Sequence, residues 1–312
     1  MQPNPHDYSY DLDHALKAMV TVRSFVPDDA FTAETLGTER SGHGVVIDRE
    51  GLVLTIGYLI TEAETVWINL ANGMAVRGHV LGYDQETGFG LLRALDRIDV
   101  PAIALGSSAK AEIGERVVVG GLGRSDSIAA RIVAKQEFAG YWEYLLDEAI
   151  FTAPSHPNWG GTAVIGAEGD LIGIGSLQVQ QVGRDQSAQN INMIVPIDLL
   201  KPILPDLITT GRANRLPRPW IGFYATEMNN RIVVAGVSQR GPAKSAGITA
   251  GDVVIAVAGK EGRDLARLFK GIWSLGPAGI EVPLRIARDG RTLEVRVKSA
   301  DRRNFLKRPI LH

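Results

Sequence analysis

A serine, two histidines and a carboxylate are the residues of this chain that hydrolytic chemistry would use. Ser155 and His156 adjoin in Thr152–Gly161, TAPSHPNWGG; His43 lies in SGHG and Asp84 in GYD. A serine becomes a nucleophile when a histidine accepts its proton and a carboxylate holds the imidazole in the right tautomer. Neighbours in sequence such as Ser155 and His156 do not naturally face each other, so these residues read more plainly as loop positions. His6, His14, His79 and His312 have no metal-ligand spacing. There is no cysteine, which removes thiolate catalysis, disulfides and cysteine-based zinc sites. Gly120-Gly121-Leu122-Gly123 lacks the Lys-Ser/Thr and following helix of a phosphate loop and reads as a β-turn. No cofactor or metal is expected.

The elements that must position these residues are mostly strands. GVVID, LVLTI, TVWINL and AVRGHVLGYD follow one another across turn signals, with Asn72-Gly73 as a hairpin turn. GERVVVGGLG, SIAARIVAKQEFAG, TAVIG, LIGIGSLQVQ and NINMIVP continue the series, which predicts antiparallel barrels or sandwiches. Helical spacing is predicted over Asp11–Phe25, running into a strand-like stretch from Val20, and over Ile197–Gly211. RANRLPRP, residues 212–219, reads as a linker. Beyond it, IVVAGV, DVVIAVAG, EVPLRIAR and TLEVRVK are strands and Asp264–Trp273 a helix.

The 312 residues suggest two domains, and 35 glycines with 15 prolines suit a turn-rich β protein. A net charge of −2 argues against an electrostatic nucleic-acid binder. No apolar run approaches the roughly 20 residues of a membrane span. The N-terminus has no basic start followed by an apolar run, so a cytoplasmic location is expected, or a periplasmic one if this is a mature form.

Three segments together resemble the HtrA/Deg-type serine proteases, over about residues 15–300. They are SGHGVVIDREGLVLTIGYLI, LGYDQETGFGLLR and NMIVPIDLLKPILPDLITTGRANRLPRPWIGF. The resemblance implies a trypsin-like double β-barrel over 14–211, after an N-terminal segment 1–13, then a PDZ domain over 220–300 and a basic tail over 301–312. It places the histidine base on Tyr58, the orienting aspartate on Gly88 and the nucleophilic serine on Trp159. Pro157, which has no N–H, falls on an oxyanion-hole donor. The implied protein keeps the scaffold and lacks the triad, and Tyr58 with Trp159 is expected to plug the old cleft.

GPAKSAGITAGDVVIAVAGK, Gly241–Lys260, is similar to the PDZ pattern. Trp220, Ile221, Gly222 and Phe223 fall on its carboxylate-binding loop, where backbone amides take a peptide's terminal carboxylate as the peptide adds as a strand. Leu265 and Phe269 are candidates for the peptide groove and equally for the core. The resemblance implies a pseudoprotease that binds peptides or unfolded-protein C-termini, as a scaffold or as the regulator of an active paralogue. A homotrimer or mixed oligomer through Tyr8, Tyr10 and Phe25 is part of that expectation. The alternatives are a hydrolase using non-standard residues and a purely structural assembly subunit.

Overall fold

The computed structural model describes residues 1–182 and 188–307, and the chain divides into two units. The first holds residues 1–136, 148–214 and Lys307; the second holds Glu137–Asp147 and Arg215–Leu306. The protein is mostly β.

In the first unit, β1 (Met19–Phe25), β2 (Glu39–Val46), β3 (Leu52–Ile56), β4 (Thr65–Asn69), β5 (Ala75–Tyr83) and β6 (Phe89–Ala94) close a barrel in the order β1-β2-β3-β6-β5-β4. β7 (Arg116–Gly120), β8 (Ile128–Gly140), β9 (Tyr144–Ala153), β10 (Ala163–Ile165), β11 (Leu171–Val182) and β12 (Ala188–Pro196) close another, ordered β10-β11-β12-β9-β8-β7. Closure leaves neither sheet an open edge. β4 alternates between half-buried and buried residues, the period-2 pattern of a strand with one face on the core, whereas β3 is buried throughout.

Two helix expectations are corrected. Within Asp11–Phe25 only α1 (Leu12–Leu16) is helical. From Met19 the β-branched run pairs with both β2 and β4, and these long-range ladders override the local period. A four-residue helix, α2 (Ala33–Leu36), follows β1. The expected helix at Ile197–Gly211 is a single 3₁₀ turn, Ile197–Leu199, and then α3 (Leu204–Thr210). Pro205 lies in the first turn of α3, where its missing N–H costs nothing.

The second unit carries β13 (Phe223–Met228), β14 (Arg231–Val237), β15 (Val253–Val257), β16 (Lys260–Glu261), β17 (Glu281–Arg288) and β18 (Arg291–Lys298). Their order is β13-β14-β15-β17-β18, with β16 on β15, so β13 lies at the end of the sheet. Two helices, α4 (Pro242–Ser245) and α5 (Leu265–Trp273), complete the unit. Asp264 caps α5 by accepting from the Arg267 amide, and Leu265, Leu268, Phe269 and Ile272 form its buried stripe. Asp252, almost fully buried, receives two hydrogen bonds from Arg288 at 2.6 Å each and one from the Thr249 amide.

Residues 215–219 of the stretch read as a linker and 301–306 of the stretch read as a tail fold with this unit, and residues 308–312 of the latter lie outside the described residues. Arg218 lies 4.2 Å over the Trp273 ring, and the Ala278 amide donates to the Pro217 carbonyl. Phe305 packs on Trp220 with ring centroids 5.0 Å apart. Lys307 returns to the first unit, where its amide and those of Phe31 and Thr32 donate to the Glu62 carboxylate.

Candidate functional site

Two places in the fold gather functional groups. The first is the place where the resemblance leads one to expect a protease active site. Tyr58 sits in the 3₁₀ turn Gly57–Leu59 that follows β3, and Trp159 in the turn before β10. The Tyr58 hydroxyl donates to the Ser176 carbonyl at 2.8 Å. Burial pushes the phenol well above its ordinary pKa, an effect the neighbouring Trp159 side chain only partly opposes, so Tyr58 stays protonated and is no base. The ring lies directly on the Trp159–Gly161 turn: a Cβ added to Gly160 would come 2.6 Å from the hydroxyl oxygen.

Ser176 is available to Tyr58 for a structural reason. The β11–β12 register slips between Gly175 and Leu177, leaving Ser176 as the extra residue of a bulge. A bulge frees a carbonyl from the ladder, and Tyr58 satisfies it. Gly88 has φ +91°, its N–H donates to the Asp84 carbonyl and its carbonyl accepts from the Gly57 amide at 2.6 Å. That backbone conformation strains any residue with a side chain, so the loop calls for glycine here. Trp159 offers only its carbonyl to the turn, accepting from the Thr162 amide and hydroxyl.

The residues considered for rewired hydrolysis separate. Ser155 accepts from Gln178 at 3.0 Å, and Asp84 closes its own turn by accepting from the Thr87 amide and hydroxyl. His43 and His156 do meet, in an edge-on ring contact at 5.5 Å, but around Asp126. His43 Nε2 bonds Asp126 Oδ2 at 2.9 Å. His156 Nε2 donates to the Asp126 carbonyl at 2.8 Å, while its Nδ1 accepts from the Asn158 amide. Both nitrogens of His156 are thereby spoken for, and burial holds its pKa below the usual value, so it stays neutral. His43 Nδ1 is buried with no partner. This is an imidazole–carboxylate cluster with no hydroxyl nucleophile joined to it. Asp126 was missed from sequence because nothing in GRSDSI separates it from a solvated loop acid. Among the described residues no group of three or more His, Asp or Glu is arranged to hold a metal ion.

The second place is the entry to β13. Trp220, Ile221 and Phe223 have buried side chains, so what this loop presents is backbone. Gly222 adopts φ +78°, and an added Cβ would lie 2.9 Å from the Trp220 ring; glycine is needed on both counts. The amides of Ile221, Gly222 and Phe223 point at one carboxylate, that of Glu143 in the β8–β9 turn, at 3.1, 2.6 and 3.3 Å. Leu265 and Phe269 are both buried in the core of the unit, with Ala139 packed on the same cluster. Sequence reasoning missed Glu143, since an acid in a hairpin turn carries no signal of what it meets.

Both places fall within domains that comparison with known proteins matches. Residues 42–174 match the trypsin-like peptidase domain and residues 219–299 the PDZ domain. The chain is of the HtrA type. It is 27% identical to the serine endoprotease DegS of Haemophilus influenzae, covering 91% of this chain and 84% of that one. It is 26% identical to the serine protease Do-like HtrA of Lactobacillus helveticus, covering 84% and 69%. Among solved structures, the HtrA-type protease AlgW with a decapeptide aligns with a TM-score of 0.54 at 22% identity, covering 95% of this chain and 98% of that one. This HtrA-type chain thus carries a tyrosine–tryptophan pair in its peptidase domain and an occupied amide loop in its PDZ domain.

Of the aromatics expected at an oligomer contact, Tyr10 packs on its own chain: a Cβ added to Gly169 would fall 2.6 Å from its ring. Tyr8 lies 5.5 Å from Tyr10, whereas Phe25 remains partly exposed beneath Arg23.

Proposed function

We propose that this HtrA-type chain does not cleave peptides and binds them instead, taking free C-termini of peptides or unfolded proteins at the amide loop before β13. The observation that carries the reading is Tyr58 bonded to the Ser176 carbonyl beside Trp159, at the places where the resemblance expects a base and a nucleophile. A phenol held protonated and an indole supply neither function, and Pro157 withholds one oxyanion donor. That relatives are named endoproteases speaks to their chemistry; a shared fold does not transfer it. The peptide part rests on the convergent amides of Ile221–Phe223, an arrangement suited to a carboxylate. A scaffold, or a subunit that joins an active paralogue in a mixed oligomer, is the role such a protein would fill.

The test is a casein-degradation assay on the full chain beside a screen of peptides with free and amidated C-termini. No cleavage, with binding lost on amidation, supports the reading. Cleavage that survives Trp159→Ala refutes it and turns attention to His43, Asp126 and His156.

A further inference from the structure

We propose that the PDZ groove of this protein is closed by the chain's own β8–β9 tip, with Glu143 standing in for a ligand's terminal carboxylate, so that an external peptide binds only by displacing the tip. The inference rests on the peptide-binding reading above and adds its regulation.

The tip reproduces a bound peptide element by element. A terminal carboxylate would meet the amides of Ile221, Gly222 and Phe223, and the Glu143 carboxylate meets all of them. A peptide would add to the open edge of the sheet. That edge is β13, and the Ala225 amide donates to the Tyr141 carbonyl at 2.9 Å. The step from Glu143 to Tyr141 is two residues, matching the step from Phe223 to Ala225, as strand pairing requires. Two residues further, Ala139 lies against the cluster that contains Leu265 and Phe269, where a peptide side chain would sit. At the base of the tip, Glu137 and Asp147 both pair with Lys270 on α5.

The tip is also shaped in advance. Tyr141, Trp142 and Glu143 form the turn between β8 and β9, with Glu143 at φ +59°. A three-residue hairpin commonly places glycine at this left-handed position. Here it carries a carboxylate, and the conformation aims it back at the loop. Trp142 stacks on Tyr144 at 5.5 Å and 16°, and Tyr141 meets Tyr224 of β13 at 6.0 Å. An ordered internal ligand loses little freedom on docking. Tethered ligands act at an effective concentration on the order of millimolar. If the tip binds with an intrinsic constant of about 10–100 μM, it weakens an external peptide by ~10–100-fold.

The experiment uses the full chain as wild type, Glu143→Gly and Glu143→Gln. Glycine suits the positive φ, and glutamine keeps the side-chain shape without the charge. The probe is a pool of fluorescein-labelled decapeptides ending in Val, Leu or Phe with a free carboxylate, and the same pool amidated, read by fluorescence polarisation. Amide exchange at Ile221–Phe223 is followed in parallel without peptide. We expect slow exchange and weak binding in the wild type. Both variants should exchange faster, and Glu143→Gly should bind the free-carboxylate pool at least 10-fold more tightly, with no gain for the amidated pool. Equal binding and equal exchange in all three proteins would overturn the closed groove while leaving peptide binding intact. Faster exchange without binding in any variant would overturn the peptide reading, and with it the tip's role as a competitor.

Discussion

Replacing Tyr58 with phenylalanine removes one oxygen from the turn after β3, and the structure fixes what that oxygen does. It satisfies the Ser176 carbonyl, left unpaired by the bulge in β11. Ser176 is 4% exposed, so no water is at hand to replace the phenol. A buried group left unsatisfied costs about 1–3 kcal/mol. Taking ~2 kcal/mol for a unit of about 200 residues, at about 2–4 °C per kcal/mol, the melting temperature should fall by about 4–8 °C. Differential scanning calorimetry of the full chain reads this, the first unit's transition being the one that Leu54→Ala also lowers. The Trp159 side chain acts on the phenol, so the effects of Trp159→Phe and Tyr58→Phe should not add, with a coupling of about 0.5–1.5 kcal/mol in a double-mutant cycle. A Tyr58→Phe shift under 1 °C, or strict additivity with Trp159→Phe, would refute the view that this pair holds the site together.

Restoring the side chains alone should not restore cleavage: Tyr58→His, Gly88→Asp and Trp159→Ser together are expected to leave casein intact. Aspartate at φ +91° is strained by about 1–3 kcal/mol, and Pro157 still withholds a donor worth about 10²–10³ in rate; cleavage by that triple variant would show that the scaffold is not committed against catalysis. A pH dependence should come from Glu143, whose carboxyl burial pushes up from 4.5 to about 7, against the three amides and the facing Arg302. Between those values the folded state keeps a proton that the unfolded chain releases, so stability of the second unit should fall as pH rises, by on the order of 3 kcal/mol. Urea midpoints from pH 4 to 8 test this, and Glu143→Gln should flatten the trend. Asp252 has the opposite sign: despite desolvation, Arg288 and the Thr249 amide hold its pKa below the ordinary value. Its stabilisation is present above the ordinary carboxylate range and lost as pH falls, so Arg288→Ala should lower the unit's midpoint at neutral pH and lessen its acid sensitivity.

The strands and the order of the two domains were legible because alternation, turn residues and the motif around Gly241–Lys260 are local properties of the chain. The helix expected over Asp11–Phe25 failed where β1 gains two partners, β2 and β4, that no window of sequence contains. The same division runs through the candidate site. Residue type alone told that Tyr58, Gly88 and Trp159 cannot form a triad and that Pro157 cannot donate.

What those residues do instead was decided by tertiary structure. Tyr58 reaches Ser176, 118 positions away, only because a bulge frees that carbonyl. His43 and His156 gather on Asp126, not on Ser155 or Asp84, because the loop holding Asp126 folds between them. The motif directed attention to the stretch before β13, whose three amides converge. Their occupant was not legible, since Glu143 lies about 80 residues earlier, in a hairpin whose own sequence calls only for a turn. Sequence fixes which groups a chain can offer; which carboxylate meets which amides depends on long-range packing that brings distant segments within hydrogen-bond reach.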